Sequence, residues 1–577
     1  VYLLSKFDED FKGKTGFLKK FWNENKISMI FLILLTAIVA VITYYRIMVQ
    51  IEIGPISDSF DFLSNALVYA GQGMGYADLL RPPFFGFLIS LVFRMGYISS
   101  AVISYMDGIM FILGVIGLYI LLKIRFNDLE SFLGSLLYAT FPIVLLFLGV
   151  GFSDLASVSI TIWAFYFTVL AVKKDSRFFL LSLPIFMLAF LTRYNNALLI
   201  FPIFLYILIN KDKINFKQFF SGIGVSFLII VPVLLFFYQK FGNIIYPFIN
   251  FGFTSTSTAL TSSAESFAYN PNVLYFIQNA PVLIGPQGIF ILFIILFGVL
   301  VFGMLHLFKR DWKNDIKVKL DLNNKITQIK LVILFLTIIL FLATFGKIFY
   351  MVNEVLFFII AYLSYDLTRN FNLKNFNLSL MFFSWLMVFF IFNSIYVIKD
   401  VRYFVLMAPP IAYFMILGLS EISARINIKY KNRNVVFPIL TLLLTTIMLL
   451  SAASQISDMP NTYKNKVILN GEINQSSQWF MDYDPSYKTQ NIYSDLWPNY
   501  SWYLQTNVKM VPAFKDNQTF ANGVKDETFN QVDSDQFNNY LITNNADYYI
   551  CLREGLNLKS YTVIKQIGDV TIYKKNT

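Results

Sequence analysis

Apolar runs of roughly twenty residues, joined by short loops whose basic residues recur on every second turn, constrain this chain more than any other feature. A soluble fold has no way to bury so much apolar surface. Hydrophobic residues make up 56% of the chain and charged residues 14%, where soluble domains carry roughly 25% charged residues. The spacing therefore predicts a mainly α-helical polytopic membrane protein. The runs lie at 27–49, 101–122, 131–149, 155–172, 178–192, 194–209, 218–238, 286–308, 331–345, 348–366, 378–397, 403–420 and 435–453, about thirteen spans in all.

Orientation follows from where the cations fall. Lys19, Lys20 and Lys26 precede the first run, and Lys123 with Arg125, Lys173 with Arg177, Lys309 with Arg310, and Arg425 to Arg433 fall between later ones. Positive-inside topology then predicts a cytoplasmic N-terminus, and an odd number of spans leaves the C-terminus outside, in a multi-pass protein of the plasma membrane. The first run is too long for the apolar core of a secretory signal and has no small-residue cleavage site, so it reads as a span that stays. Segment 83–98 is short and interrupted by Arg94. A helix lying at the interface is expected there, because a crossing would carry Lys123 and Arg125 outside. The net charge of +11 is thus accounted for by topology, and the partner it implies is the lipid bilayer and not nucleic acid.

Two domains are expected. Residues 1–454 form the membrane domain, with a first external loop at 50–100 and a second at 239–285 that carries the Ser/Thr-rich TSTSTALTSS, Glu265 and a short helix at 273–279. Residues 455–577 lose the apolar runs, and segments such as KTQNIYSD, NADYYICL, YTVIKQI and DVTIYKK have strand character, with a helix in QVDSDQFNNYLITN. This predicts a small external soluble α/β domain. Sequons at Asn474, Asn499 and Asn517 fit an external position or the chain's Asn-rich composition equally. A single cysteine, Cys551, excludes an internal disulfide, and a single histidine, His306, excludes His-based catalysis and zinc-finger sites. Any metal would have to rest on carboxylates.

Ionisable residues at the edges of apolar runs need water, a partner or a substrate. The first external loop has Asp58 and Asp61 on one face of a helix start, where they serve either as a capping pair or as a functional one. Gly71, Gly73 and Gly75 make a turn, and Arg81-Pro82-Pro83 sets a permanent cation at the mouth of the interfacial helix, as a site residue or a snorkelling arginine. Asp154 heads the run 155–172 as an N-cap or a second external acid. Arg193, before Tyr194-Asn195-Asn196, faces an outer cavity or pairs with Asp154. Lys399-Asp400-Val401-Arg402-Tyr403 precedes Pro409-Pro410. Carboxylates that accept a hydroxyl proton, with arginines that hold a phosphate, are the side chains needed to move a group off a phosphate.

These motifs resemble the GT-C superfamily of membrane glycosyltransferases, in the branch of dolichyl-phosphate-mannose protein mannosyltransferases and lipid A aminoarabinose transferases. Asp58-Ser59 matches the acid that opens the family's first external loop, without the Glu that often follows it. Arg81-Pro82-Pro83 resembles its Lys-Pro-Pro or His-Pro-Pro, Asp154 its second external acid, and Arg402-Tyr403 with Pro409-Pro410 its late Arg-Tyr segment. The family layout of thirteen spans and an external C-terminal domain is also similar. The resemblance implies transfer of a sugar from a polyprenyl-phosphate donor to an acceptor hydroxyl on protein, lipid or glycan, outside the cytoplasm and with inversion. It further implies Asp58 as catalytic base, Arg81, Arg193 and Arg402 as ligands of the donor phosphate, and Asp61, Asp154 and Tyr403 around the acceptor or a metal. No cofactor is demanded by the residues, although some members of the family bind a divalent metal ion. A transporter or flippase of lipid-linked saccharides is the alternative, but the sequence has no convincing internal repeat and its charges cluster at the outer edge. A membrane scaffold leaves the first loop unexplained.

Overall fold

The computed structural model describes residues 2–73, 77–250, 269–307, 324–371, 375–426, 428–430, 433–520, 523–524 and 527–576, with side chains from 25 onward except those of 305–307, 370 and 433. The Ser/Thr-rich stretch with Glu265, the basic segment around Lys309 and Arg310, Gly75, and the side chains of Lys19, Lys20 and His306 lie outside the described residues.

Ten helices among the described residues are long and apolar enough to cross a membrane, and three shorter apolar helices accompany them. The protein is an integral, multi-pass helical membrane protein with a small C-terminal sheet region. Its first half runs α1 (Tyr2–Ile53), α2 (Asp58–Tyr69), α3 (Pro83–Arg94), α4 (Ala101–Leu122), α5 (Asp128–Thr140), α6 (Pro142–Phe147), α7 (Ser153–Lys173) and α8 (Phe179–Thr192). The expected run 131–149 is divided between α5 and α6, because Phe141 is extended ahead of Pro142, as a residue before proline tends to be. The runs 178–192 and 194–209 form helices of 14 and 10 residues, the second entered through a 3-10 turn at Tyr194–Leu199. Both fall short of the roughly 20 residues of a perpendicular crossing. The short helix expected at 273–279 is instead the start of a 33-residue helix, Tyr275–Leu307, broken where Gly285 takes φ +70° ahead of Pro286.

The core is aromatic at its centre. Trp385 is buried and stacks on Phe165 of α7 at 4.7 Å, and Phe382 stacks on Tyr413 at 4.1 Å, joining the helices Phe376–Ile395 and Ala408–Arg425 to the first half. The 21 residues of α7 span about 31 Å, the thickness of the hydrocarbon core. Asp154 stands at one end. At the other, Lys173 donates to Asn375 Oδ1, and Arg125 donates to Ser379 Oγ beside it. Acidic and basic ends are thus separated by the length of a span.

In the tail, β1 (Ile492–Ser494), β2 (Lys509–Met510), β5 (Tyr548–Cys551), β6 (Tyr561–Ile567) and β7 (Val570–Lys575) make a sheet of order β2-β1-β5-β7-β6, with β3 (Ala513–Lys515) and β4 (Gln518–Phe520) as a separate hairpin. β1 is parallel to β2 and β5, while β7 is antiparallel to β5 and β6. The helix Gln531–Thr543 carries an Asn530/Asp533 capping box. The last membrane helix continues to Thr462, eight residues beyond the 454 boundary read from composition, and a further helix, Lys464–Tyr483, leads into the sheet. Asn499 is buried within the helix Trp497–Leu504, so its sequon is not available for glycosylation in the folded chain. That same helix packs Trp502 against Phe93 of α3 and Tyr503 against Phe60 of α2, seating the tail on the two helices of the first loop.

Candidate active site

Local backbone geometry delivers the acids. After α1 ends at Ile53, Gly54 turns the chain at φ +85°, and Asn470 of the tail donates to the Ile53 and Pro55 carbonyls at 2.8 and 3.2 Å. Ser57 then adopts φ +46°, a left-handed conformation unusual for a residue with a side chain and common where geometry serves a site. Its side chain caps nothing, and Asp58, the first residue of α2, gives its carboxylate oxygens to Arg81 and Arg402. The capping alternative for Asp58 is therefore not the one adopted. Asn65 of α2 donates to the Asp78 carbonyl at 2.8 Å, which ties down the loop that carries Arg81.

Asp58 lies between two arginines. Arg81 Nη2 is 3.2 Å from its Oδ1 and Arg402 Nη1 is 2.7 Å from its Oδ2, so each carboxylate oxygen meets a separate guanidinium. Arg81 also meets Asp61 Oδ2 at 2.5 Å and, through Nε, Asp78 Oδ2 at 3.1 Å. Arg402 Nε reaches Asp400 Oδ2 at 3.1 Å, while Asp400 Oδ1 accepts the Arg402 amide at 2.9 Å and caps the 3-10 turn Val401–Met407. Arg193 Nη1 pairs with the fully buried Asp154 at 2.7 Å. The rings set the cations in place. Arg402 lies over Phe152 at 5.2 Å and over Tyr403 at 5.4 Å, and Arg193 lies over Tyr403 at 5.5 Å.

Burial acts to raise the Asp58 pKa, but the fields and hydrogen bonds of Arg81 and Arg402 outweigh it and hold the carboxyl well below the usual carboxylate range. Asp78 is shifted the other way, because burial outweighs its share of Arg81. Lys399, beside the cluster, has its pKa pushed down to about 8 by burial. Its ammonium donates to the carbonyls of Asn393, Ser394 and Tyr396 at the end of the helix Phe376–Ile395, where a cation complements the helix dipole.

These side chains line a pocket of about 210 Å³ bounded by Asp58, Arg81, Asp154, Arg193, Arg402 and Tyr403, with Phe62, Phe152, Phe392 and Tyr396 as its apolar walls. The expected residues from four separate edges of the apolar runs thus meet in one place, and Asp61 touches it through Arg81. Directly beyond Pro82, an apolar groove of about 490 Å³ opens between Tyr69, Pro83, Phe84, Phe87, Leu191 and Phe236. A larger open cleft of about 890 Å³ between Pro142, Pro286 and Asp458 carries no arginine. Among the described residues no three acidic, histidine or cysteine side chains are grouped as metal ligands. Asp58, Asp61 and Asp78 converge on Arg81 instead. Sequence reasoning overlooked Asp78 and Phe152. Asp78 had a signal, the i,i+3 spacing to Arg81, whereas Phe152 had none.

Comparison with known proteins supplies a frame for this geometry. Residues 80–236, from just before Arg81 to past Arg193, match the model of a family described as dolichyl-phosphate-mannose-protein mannosyltransferase. Among solved structures the chain is similar to ArnT from Cupriavidus metallidurans bound to undecaprenyl phosphate, with a TM-score of 0.54 and 13% identity over 94% of this chain and 97% of that one. It is also similar to the apo form of the Archaeoglobus fulgidus oligosaccharyltransferase, with a TM-score of 0.50 and 14% identity over 90% of this chain and 69% of that one. No curated protein matches the chain in sequence.

Proposed function

We propose that this chain, which shares its fold with ArnT and the archaeal oligosaccharyltransferase and matches the mannosyltransferase family model over residues 80–236, is a GT-C membrane glycosyltransferase that transfers a sugar from a polyprenyl-phosphate donor, of the dolichyl or undecaprenyl type, to an acceptor hydroxyl on the extracytoplasmic side. The observation that carries this reading is the position of Asp58 between Arg81 and Arg402, at the wall of a polar pocket with an apolar groove alongside. The pocket is smaller than the roughly 300–1,000 Å³ of drug-sized sites. It suits a sugar-phosphate headgroup whose prenyl chain lies elsewhere, and the groove beyond Pro83 offers that chain an apolar path open to lipid.

The reaction is one displacement with inversion. Asp58 takes the proton of the acceptor hydroxyl as that oxygen bonds to the anomeric carbon, and the bond from that carbon to the phosphate oxygen breaks. Polyprenyl phosphate leaves with the negative charge, which Arg81, Arg402 and Arg193 stabilise by charge-assisted hydrogen bonds. In the free chain Asp58 is a weak base, because both guanidiniums hold its pKa down. A donor phosphate competing for the same two cations loosens their hold on Asp58 and raises its basicity. Donor binding thus readies the base. Asp61, Asp154 and Tyr403 border the space left for the acceptor. The acidic end of α7 faces outside and its basic end the cytoplasm, as the positive-inside rule requires.

The test is incubation of the purified chain in lipid nanodiscs and in proteoliposomes with a radiolabelled polyprenyl-phosphate sugar and candidate acceptors. Release of polyprenyl phosphate together with a labelled product is the expected result. Movement of the labelled lipid across the liposome bilayer with the sugar still attached would instead favour a flippase.

A further inference from the structure

Two buried ionisable side chains in the helical core have no part in the pocket. Asp107 lies within α4 and Arg46 within α1, both with no exposed surface, in stretches that are otherwise apolar. Ionisable groups at such depth are costly unless the structure gains from them. Both bind main chain. Asp107 Oδ2 accepts the Gly149 amide at 2.7 Å, and Arg46 donates from Nε to the Leu145 carbonyl at 2.8 Å and from Nη2 to the Leu146 carbonyl at 3.0 Å.

Beyond Phe147 the gripped segment is non-helical. It leaves α6 and passes through two left-handed glycines, Gly149 at φ +77° and Gly151 at φ +82°. A Cβ at Gly151 would sit 2.5 Å from Ile103, so the turn is pressed against α4. Non-helical backbone surrounded by protein has amides and carbonyls that need partners, and here side chains supply them. The turn meets the pocket on both sides. Ser59, next to Asp58, donates to the Val150 carbonyl at 2.6 Å, and the residue after Gly151 is Phe152, whose ring lies under Arg402, followed closely by Asp154 on Arg193.

We propose that Asp107 is a positioning residue of the transfer reaction: by holding the Gly149 amide it fixes the 149–151 turn, and through that turn the Phe152 ring and the Asp154 carboxylate that orient Arg402 and Arg193. Arg46 supports the same turn from the α6 side. It also donates to Gln50, whose amide holds the Gly54 carbonyl ahead of Asp58. The catalytic part of this inference rests on the pocket being the reaction centre.

The experiment compares Asp107→Asn, which keeps an acceptor oxygen in place, with Asp107→Ala and Asp107→Leu, which remove it, all in the full chain in nanodiscs. Two readouts are taken: steady-state transfer from a polyprenyl-phosphate sugar, and hydrogen exchange of the peptide covering 145–153. Losing a buried hydrogen bond of this kind corresponds to about ten- to a hundredfold, so the Ala and Leu variants lose kcat by about that factor while the Asn variant stays close to the parent. Exchange at 149–151 accelerates in the Ala and Leu variants and stays at the parental rate in Asn. Parental exchange in Ala or Leu, or an Asn variant as impaired as Leu, overturns the proposal. If Ala and Leu do not fold, Asp107→Ser, whose shorter side chain withdraws the acceptor from the Gly149 amide, takes their place, with faster exchange at 149–151 supporting and parental exchange overturning the proposal. A parent chain that turns over no donor defeats the proposed function, whereas the exchange data still decide whether Asp107 holds the turn.

Discussion

Replacing Arg402 by lysine keeps the charge but removes the fork. In the parent, Nη1 meets Asp58 at 2.7 Å and Nε meets Asp400 at 3.1 Å, while the guanidinium plane lies over Phe152 and Tyr403. One ammonium does not make both ion pairs and both stacked contacts at once. At an effective dielectric constant of about 20, a charge pair at the Asp58 distance is worth about 6 kcal/mol, a ceiling that desolvation lowers. Each partner keeps about a fifth of its side chain exposed, which places the pair between a surface pair and a fully buried one. A single charge-assisted hydrogen bond is worth about 1.5–3 kcal/mol, so Arg402→Lys lowers kcat/KM for transfer by about ten- to a hundredfold. Arg402→Ala also leaves Asp58 to Arg81 alone, and the loss rises to about a hundred- to a thousandfold. The assay is initial-rate release of polyprenyl phosphate by purified parent and variants in nanodiscs, with melting temperatures to confirm folding. A folded Arg402→Lys chain with parental kcat/KM would refute the reasoning.

Three further outcomes follow from the same geometry. The folded-state pKa of Asp58 lies below its unfolded value, so its contribution to stability is present above about pH 4 and is lost as pH falls below that. The melting-temperature gap between parent and Asp58→Asn accordingly shrinks from pH 7 to pH 3, and a gap that does not depend on pH contradicts the pairing. Arg193→Met strands the buried Asp154 carboxylate and destabilises by about 3–5 kcal/mol; in a double-mutant cycle with Asp154→Asn the second change recovers part of the loss, and strict additivity would show that the pair is not coupled. Trp502→Ala empties the contact between the tail and α3 and costs about 3–5 kcal/mol. It raises protease sensitivity of the tail, and an unchanged digestion pattern would mean that the tail docks by other means.

The membrane architecture was legible because length and hydropathy of a run decide whether a helix crosses, and no tertiary detail enters that decision. It became less legible where local backbone intervenes. Phe141 before Pro142 divides a run that composition shows as continuous, and Gly285 joins a short helix to a long one across a break. The members of the pocket were found by searching the outer edges of spans for charges. Those edges are far apart in the chain, and their convergence on Asp58 belongs to the folded state: which arginine meets which acid was open until the helices were packed. Only the Asp154–Arg193 pair had been named as an alternative. Asp107 escaped because it lies inside the run 101–122 and not at its end, and Arg46 because it stands within the last turn of the run 27–49, ahead of the loop that was searched. The rule that flags charges at a membrane edge applies with more force to charges at depth, and it would have found both.

The account stands on Asp58 as the base that takes the acceptor proton. Its most direct measurement is single-turnover transfer by the Asp58→Asn chain, with polyprenyl-phosphate binding recorded on the same preparation. The account predicts that a folded, lipid-binding Asn variant forms no glycosylated product. Product formed at a rate near that of the parent would contradict it.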